Sequence, residues 1–463
     1  MTFSITELLN NRRGENFSLH EHHLNNQMVR VLKTIGYDRH YVKAQGQYLY
    51  DDQAQEYLDL LSGFGVFALG RNHPTVKSAL REVVDADLPD LVQMDVSLLS
   101  GLLAEKLVHL TPEPLTRLFF CNSGAEAVEA AIKFARYTTG RSRILHCEHA
   151  FHGLTLGALS LNGEEIFRQG FGPLLPDCHA IPFNNLQALE QALQEKETAA
   201  FIVEPIQGKG VNLPDDNYLA EAARLCHRYG ALFVADEIQT GLGRTGKLWA
   251  INHWHVEPDM LLMAKALSGG FIPVGAVAMT STIMDKVFNR MDRAVVHGST
   301  FSKNNMAMAA GLATLAVLEE EDLIDNAARQ GSVLLEGLNQ LVEKYEFFHE
   351  VRGKGLMLAM EFGKPKSIKL KTAWNLLETA NKGLFSQMVT IPLFKRHHIL
   401  SQVAGHGMNV VKFLPPLVIN EKDTDWIISA MDEVLADCHH IPGAIWDLGK
   451  TLAGHAIKAK KSA

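Results

Sequence analysis

The chain has 463 residues, of which 47% are hydrophobic and 21% are charged, and its 44 Lys and Arg residues against 52 Asp and Glu residues give a formal net charge of -8. This composition excludes a disordered, collagenous or coiled-coil chain, and the length predicts two lobes or one large domain with appendages. The acidic balance argues against a nucleic-acid partner, and no apolar run approaches the roughly 18 residues that a membrane span needs.

The cysteines indicate a reducing compartment. There are five, an odd number, and they are scattered without a CxxC pair, so we expect neither a disulfide framework nor structural zinc. The first residues also lack the apolar stretch of a secretory signal. We therefore expect a cytoplasmic protein with no membrane partner.

The first 320 residues change character once. Residues 1–60 are polar and mixed; they begin with capping-box spacing between Ser4 and Glu7, and the alternation from 48 to 60 predicts short strands. Short apolar runs then alternate with amphipathic helices, which predicts a mainly parallel sheet covered on both faces. The predicted strands are 115–120, 199–205, 231–236 and 259–265, and the predicted helices are 125–137 and 218–230.

A second, smaller lobe is predicted beyond residue 320. Apolar residues recur at helical spacing over 332–346, and residues 351–362 and 409–419 have the composition of strands. The prediction is thus an α/β fold with three parts. Residues 1–60 form an N-terminal segment of the small domain, 61–325 the large domain, and 326–463 the C-terminal small domain.

Three groups in the large domain carry chemistry. The turn Asn122–Ala125 follows a predicted strand and opens a helix, where free backbone N–H groups form an anion site or an ordinary helix cap. Asp236 ends a strand. Lys265 ends the next strand between apolar flanks, and a desolvated lysine has a lowered pKa and forms Schiff bases. A phosphate cradle, a strand-end acid and a sheltered lysine are the parts that hold pyridoxal phosphate (PLP).

These groups belong to a larger pattern. The sequence resembles the class III (omega-type) aminotransferases of the fold-type I PLP enzymes from about residue 45 to about 420, with the strongest similarity to putrescine, acetylornithine and ornithine aminotransferases. The resemblance implies a large, mainly parallel sheet domain plus a smaller α+β domain. It rests on six motifs in the family's order: NSGAEAVEAAIKFAR (122–136), HAFHGLTLGALS (149–160), VEPIQGKGV (203–211), DEIQTGLGRTG (236–246), MAKALSGG (263–270) and HGSTF (297–301).

The resemblance also implies roles for individual residues. Lys265 is the Schiff-base lysine and general base, and Asp236 pairs with the pyridine nitrogen. Thr300 reaches the phosphate of a partner subunit, so a homodimer shares its active sites. The resemblance implies that eight further residues bind PLP, by holding its phosphate, covering its ring or contacting its polar groups. These are Ser123, Gly124, Ala125, Phe151, His152, Glu204, Ile238 and Gln239.

Other interpretations of the same residues compete with this one. The stretch GLGRTG (241–246) matches a dinucleotide fingerprint, but no amphipathic helix follows it. The histidines near 146–152 lie between apolar residues in the loop that the resemblance assigns to the cofactor, and those at 20–23 lie in a polar stretch that we expect to be exposed, so no metal is predicted. Decarboxylases and aminomutases use the same cofactor and the same lysine, and the sequence leaves them open as alternatives.

The chain departs from its ornithine-type relatives where the substrate binds. Those relatives carry an arginine in the strand before Pro-Pro and an acid after EPIQG, whereas this sequence has Lys412 and Lys209. Either both lysines are solvated and irrelevant, or the arginine switch between amino acids and amines is absent. The second hypothesis predicts a primary amine, diamine or omega-amino donor and a 2-oxo acid acceptor, with an acetylornithine-type donor as the alternative. Phe64 and Phe67 are expected to line the apolar mouth of the site.

Overall fold

A computed structural model describes residues 3–92, 94 and 96–462. Within them the strands are β1 Tyr41–Gln45, β2 Tyr48–Asp51, β3 Glu56–Asp59, β4 Arg117–Cys121, β5 Arg143–Cys147, β6 Cys178–Ile181, β7 Thr198–Val203, β8 Leu232–Asp236, β9 Met260–Met263, β10 Gly275–Met279, β11 Phe348–Lys354, β12 Met357–Phe362, β13 Ile399–Leu400, β14 Gln402–Val403 and β15 Val410–Phe413.

The helices lie between and around these strands. They are α1 Ile5–Asn11, α2 Asn16–His23, α3 Asn26–Ile35, α4 Ser62–Gly65, α5 Pro74–Asp85, α6 Leu98–Leu110, α7 Gly124–Thr139, α8 Leu156–Ser160, α9 Glu165–Arg168, α10 Leu186–Glu195, α11 Tyr218–Arg228, α12 Ser281–Val287, α13 Asn305–Glu320, α14 Leu323–Lys344, α15 Ile368–Ala380, α16 Leu384–His397, α17 Glu421–Cys438 and α18 Ala444–Ser462. In the described part of the chain, none of these helices combines the length and the apolar content that crossing a membrane requires.

A seven-stranded sheet in the order β4-β10-β9-β8-β7-β5-β6 forms the centre of the molecule. The strands from β9 to β6 pair in parallel, and β10 runs antiparallel to both β4 and β9. The structure thus confirms the mainly parallel sheet and the α/β class. Strands of such a sheet end together at one edge, where ligands bind.

Alternating side chains of the central strands enter two different cores. In β7, Phe201 and Val203 pack in one hydrophobic cluster, while Ala200 and Ile202 pack with the buried face of α7 in the other. All six residues of this strand are buried. Burial on both faces explains why these strands appear in the sequence as continuous apolar runs.

Two smaller sheets accompany the central one. One has the order β11-β12-β15-β14 with antiparallel pairing throughout, and the other has the order β1-β2-β3-β13, in which β13 pairs parallel to β3. The single strand predicted over 351–362 is wrong, because the chain reverses near Gly355 and forms the β11–β12 hairpin. Gly355 has a φ of +52°, and a Cβ there would lie 2.4 Å from the Thr245 carbonyl carbon.

Candidate active site

A cavity of about 950 Å³ lies at the carboxyl ends of β8 and β9. It brings together most of the residues that the sequence singled out, from loops that are far apart along the chain. Those lining the cavity are Phe64, Ser123, Gly124, Ala125, Phe151, His152, Glu204, Asp236, Ile238, Gln239, Lys265 and Lys412.

Lys265 lies two residues beyond the end of β9 rather than within a strand. It opens a short 3-10 turn, and its φ of +41° is in the left-handed region that a non-glycine residue seldom adopts. Burial lowers the pKa of Lys265, although the negative charges of Asp236 and Glu204 oppose this shift. A strained backbone and a depressed amine pKa at the edge of a sheet are features of a nucleophilic lysine.

Asp236 is held in place by two hydrogen bonds. Its Oδ2 lies 2.6 Å from His152 Nδ1, and its Oδ1 accepts a hydrogen bond from the Ile238 backbone N–H at 3.1 Å. Burial of the His152 ring opposes protonation, but the hydrogen bond to Asp236 and its charge outweigh burial and raise the pKa of His152. A protonated His152 stabilises the ionised form of Asp236, and its buried Nε2 has no partner.

Glu204 connects two loops that border the cavity. It accepts the Phe151 backbone N–H at 3.0 Å and the Gly208 backbone N–H at 2.7 Å. Burial raises the pKa of Glu204, and the nearby Asp236 adds to that shift while His152 and the two N–H groups oppose it. Glu204 therefore fixes the backbone on both sides of the cavity.

The start of α7 has the form of an anion cradle. Ser123 caps this helix by accepting the Glu126 N–H at 3.2 Å, which leaves the hydrogen of its hydroxyl able to donate to a ligand. A Cβ on Gly124 would lie 2.9 Å from the Ile238 side chain, so a glycine is needed for this close approach. The adjacent N–H groups and the helix dipole favour a phosphate.

Gln239 connects two parts of the cavity wall, the segment that contains Phe64 and the strand that contains Lys412. Its Nε2 donates to the Phe64 carbonyl oxygen at 3.0 Å, and its Oε1 lies 3.4 Å from Lys412 Nζ. Phe64 is itself exposed and has a φ of +60°. These contacts place Gln239 between the predicted cofactor side and the predicted substrate side of the site.

The interpretation of Lys412 and Lys209 as solvated side chains is wrong, whereas their contact with a substrate stays a prediction. Lys412 is 5% exposed and Lys209 is 9% exposed, and both line the cavity. Lys412 donates to the Gly208 carbonyl oxygen at 2.6 Å, and burial together with the charge of Lys265 lowers its pKa to about 7. Lys209 pairs with Glu164 at 3.0 Å. Both lysines are thus structural parts of the site.

Two predicted residues lie outside the cavity lining. Phe67 packs below Arg71, whose guanidinium carbon is 3.9 Å from the ring centre, and behind the lining residues Gly63 and Gly270, so its predicted place at the mouth stays a prediction. Thr300 is exposed and has no place in the lining of this single chain. Its neighbour Ser299 contacts Asn122, with the Asn122 Nδ2 and Ser299 Oγ atoms 2.5 Å apart. The role of Thr300 toward a second subunit stays a prediction.

Several lining residues had no signal in the sequence. Phe167, Phe271 and Ile272 add apolar wall, and residues 402–406 close one side of the cavity. Phe167 belongs to α9, a four-residue helix with no motif around it. A cavity wall assembled from such isolated residues depends on tertiary packing, which the pattern of one sequence does not report.

The competing sites have no support in the described residues. GLGRTG leads into a turn and a short 3-10 helix at Ala250–His253, so the helix required by a dinucleotide fingerprint is missing there. His146 is buried, and burial lowers its pKa to about 3. Across the described parts of the chain, no cluster of three or more His, Cys, Asp or Glu side chains is arranged to hold a metal ion.

The residues present fit PLP. Lys265 supplies an amine of lowered pKa, and the buried Asp236 side chain, held by His152, supplies a partner for the ring nitrogen. The start of α7 supplies an anion cradle, and the glycine at 124 lets this turn approach the Ile238 side chain closely. These groups all face one cavity, and each meets one of the needs of the cofactor: covalent attachment, a partner for the ring nitrogen and an anion site.

Comparisons with known proteins agree with this chemistry. Residues 34–435 match the family model described as aminotransferase class-III. The chain is 33% identical over 454 residues to the aminotransferase PigE of Serratia sp. (strain ATCC 39006), and the match covers 91% of this chain and 53% of PigE. The chain therefore spans about half the length of this curated relative.

Solved structures share the fold. The ornithine aminotransferase of Toxoplasma gondii matches with a TM-score of 0.80 at 29% identity, covering 95% of this chain and all of that one. A PLP-bound amine transaminase from an uncultivated Pseudomonas species matches with a TM-score of 0.75 at 30% identity, covering 86% of this chain and 95% of that one. The similarity confirms the fold-type I architecture expected from the sequence.

Proposed function

The chain belongs to the class III aminotransferases, and from this premise we propose that it uses PLP to move an amino group from a primary amine to a 2-oxo acid. One observation carries the proposal: Lys265, with its lowered amine pKa, faces the same cavity as the Asp236–His152 pair. Ornithine aminotransferase and amine transaminase structures match nearly the whole chain, which supports transamination over the decarboxylase and aminomutase alternatives.

The chain's own residues divide the work of the reaction. PLP, when bound, supplies an electron sink for the bond that breaks at the amine carbon. Lys265 would attach the cofactor through its Nζ atom, and the same atom would hold and move a proton. Asp236, supported by its contact with His152, would hold a proton on the ring nitrogen. Ser123 and Gly124 hold the phosphate.

We propose a donor that lacks an α-carboxylate, such as a diamine or another omega-amino compound. A bidentate carboxylate grip needs an arginine, and the two candidate cations are lysines. Lys209 is already paired with Glu164, and Lys412 donates to the Gly208 carbonyl and has a pKa of about 7. Neither lysine offers a permanent, unshared charge to a donor carboxylate. The acceptor 2-oxo acid is then held more loosely than in an arginine enzyme.

We propose a homodimer in which Thr300 completes the partner's phosphate site. Exposed apolar side chains occur in several stretches of the described residues, among them 91–98 and 291–301. Ser97 in the first of these donates from its Oγ to Asn305 Oδ1, shortly after the second, at 2.8 Å. An exposed apolar patch of this kind is typical of a subunit interface. Its members are Leu91, Met94, Val96, Leu98, Met291, Val295 and Phe301.

We propose the cytoplasm as the compartment. The five cysteines are all unpaired, which suits a reducing environment. Burial raises the pKa of Cys121 to about 12 and the pKa of Cys178 to about 11. Thiols with such raised pKa values are almost entirely protonated near neutral pH and therefore react slowly.

The test is an assay of amino transfer with a defined pair of substrates. Purified protein with PLP is mixed with a primary diamine and 2-oxoglutarate, and formation of glutamate is followed by mass spectrometry. We expect glutamate with the wild-type protein and none with Lys265→Ala. Release of carbon dioxide from an amino acid without glutamate formation would establish a decarboxylase and contradict the proposal.

A further inference from the structure

Lys209 stands in the wall of the cavity, where its ammonium group is ion-paired with Glu164 but has no hydrogen-bond partner among the described residues. Its Nζ lies 3.0 Å from Glu164 Oε2, 4.1 Å from the centre of the Phe167 ring and 5.2 Å from the centre of the Phe151 ring. The side chains of Lys209 and Glu164 are 11% and 14% exposed. An ion pair and cation–π contacts gain strength when water is excluded in this way.

The two rings that Lys209 contacts form one aromatic wall. The centres of Phe151 and Phe167 are 5.7 Å apart, with the rings edge to face. Phe151, Phe167 and Lys209 all line the same cavity. Phe167 comes from α9, whose four residues are too few to form a stable helix alone. The position of Phe167 therefore depends on contacts outside its own helix.

Lys209 itself projects from a fixed turn. Arg352 donates to the Gly210 carbonyl at 2.7 Å and to the Val211 carbonyl at 3.1 Å, and the Gly208 N–H donates to Glu204 at 2.7 Å. The backbone on one side of Lys209 is thus hydrogen-bonded to Arg352 of β11, and the backbone on the other side to the Glu204 carboxylate. The other partner in the contact is the short segment from Glu164 to Arg168, which includes α9.

We propose that Lys209 is a positioning residue that holds Phe167 against Phe151. It thereby sets the width of the part of the cavity that receives the amine substrate, called here the amine chamber. Neutralising Lys209 releases Phe167, and the chamber then discriminates less well between slender and bulky amines. The identity of the chamber's occupant rests on the proposed function, whereas the contact between Lys209, Glu164 and Phe167 is independent of it.

Hydrogen exchange of the PLP-loaded enzyme tests the positioning role without any turnover. We compare the wild type with Lys209→Met, Glu164→Gln and Lys209→Arg, and use Lys344→Met as a matched control because Lys344 pairs with Asp432 and lies over the Tyr345 ring far along the chain. Protection of amides 164–171 should fall roughly tenfold in Lys209→Met and Glu164→Gln. It should be retained in Lys209→Arg and in the control. Unchanged protection in both neutralised variants overturns the proposal.

Steady-state kinetics supply the second readout. With 2-oxoglutarate fixed, Lys209→Met should lower the preference for pentylamine over 1-phenylethylamine by roughly tenfold, mainly through KM, and Lys209→Arg should restore it. A raised KM for the 2-oxo acid with unchanged amine selectivity would make Lys209 a carboxylate contact and overturn the proposal. A wild-type enzyme that transfers no amino group would contradict the proposed function and leave the exchange result standing.

Discussion

At the scale of single residues, the proposed chemistry depends on one amine and one carboxylate. Lys265 combines a left-handed backbone with a pKa lowered by burial, and Asp236 is fixed by His152 and a backbone N–H. The sequence predicts both residues, because a lysine between apolar flanks and an acid at a strand end are rare outside functional sites. It does not predict the positive φ of Lys265, which arises where the chain leaves β9.

Replacing Lys265 tests the covalent site. Lys265→Ala should lose the yellow chromophore of lysine-bound PLP and nearly all turnover, because attachment and proton transfer both use this amine. Borohydride reduction of the wild type followed by peptide mapping should place the reduced adduct on Lys265. An adduct on Lys412, which faces the same cavity, would show that the assignment is wrong.

Replacing Asp236 tests the support for the ring nitrogen. Asp236→Asn keeps the shape of the side chain but removes its charge, so burial of the His152 ring acts unopposed by that charge and the pKa of His152 should fall below its ordinary value of 6.5. A titration of His152 by NMR in the cofactor-free protein measures this shift. Turnover should fall by several orders of magnitude. A His152 pKa that stays raised would point to another source for the shift.

At the scale of elements, β15 carries Lys412 into the cavity and the turn after β7 carries Lys209. The sequence indicates that both positions depart from ornithine-type relatives, since they lie in recognisable motifs. The sequence does not indicate which groups the two lysines contact in the folded protein. Glu164 and Phe167 lie more than forty residues from Lys209 in sequence, and the contact exists only because α9 folds over the cavity. Ion pairs between distant, motif-free residues are decided by tertiary packing.

The strand placement of Lys412 gives a pH-dependent prediction for stability. Its pKa is about 7 in the folded protein and 10.5 ordinarily, so the folded state binds fewer protons between these values and the free energy of unfolding rises with pH there. The free energy of unfolding therefore carries the full cost of burying the Lys412 charge below pH 7, and this cost declines as the pH rises from 7 toward 10.5. Lys412→Met removes this cost.

Thermal unfolding of the cofactor-free protein checks this prediction. The gain in Tm for Lys412→Met over the wild type should be larger at pH 6 than at pH 9. Lys247→Met, at an exposed position, serves as the control and should show no such difference. A gain that is equal at both pH values would mean that Lys412 does not titrate in this window.

At the scale of the whole molecule, the fold follows from patterns that extend over many residues. Alternation of apolar runs with amphipathic helices predicts the parallel sheet, and both faces of β7 are indeed buried. The pattern fails at Gly355, where one residue with a positive φ converts a predicted strand into a hairpin. The pattern also does not predict the pairing of β13 with β3, because these strands are about 340 residues apart in the sequence.

The proposed dimer is tested at its exposed apolar patch. Val96 is 95% exposed in the single chain, so Val96→Asp costs a monomer little but places an unpaired charge in the interface of a dimer. Analytical ultracentrifugation should give a dimer for the wild type and a monomer for the variant, with PLP affinity lowered because Thr300 of the second subunit is lost. Ile368→Asp, at an 84% exposed site elsewhere, should remain a dimer with normal affinity. A wild type that sediments as an active monomer would contradict the shared site.

Putrescine and ornithine test directly whether this site prefers an amine without an α-carboxylate, because the two compounds differ only by that group. The PLP-loaded enzyme is mixed with each compound under single-turnover conditions, and the loss of the visible absorbance of lysine-bound cofactor is followed. The burial and pairing of Lys412 and Lys209 predict a larger rate constant per unit concentration for putrescine. Faster reaction with ornithine than with putrescine and every other diamine would contradict the account of the donor.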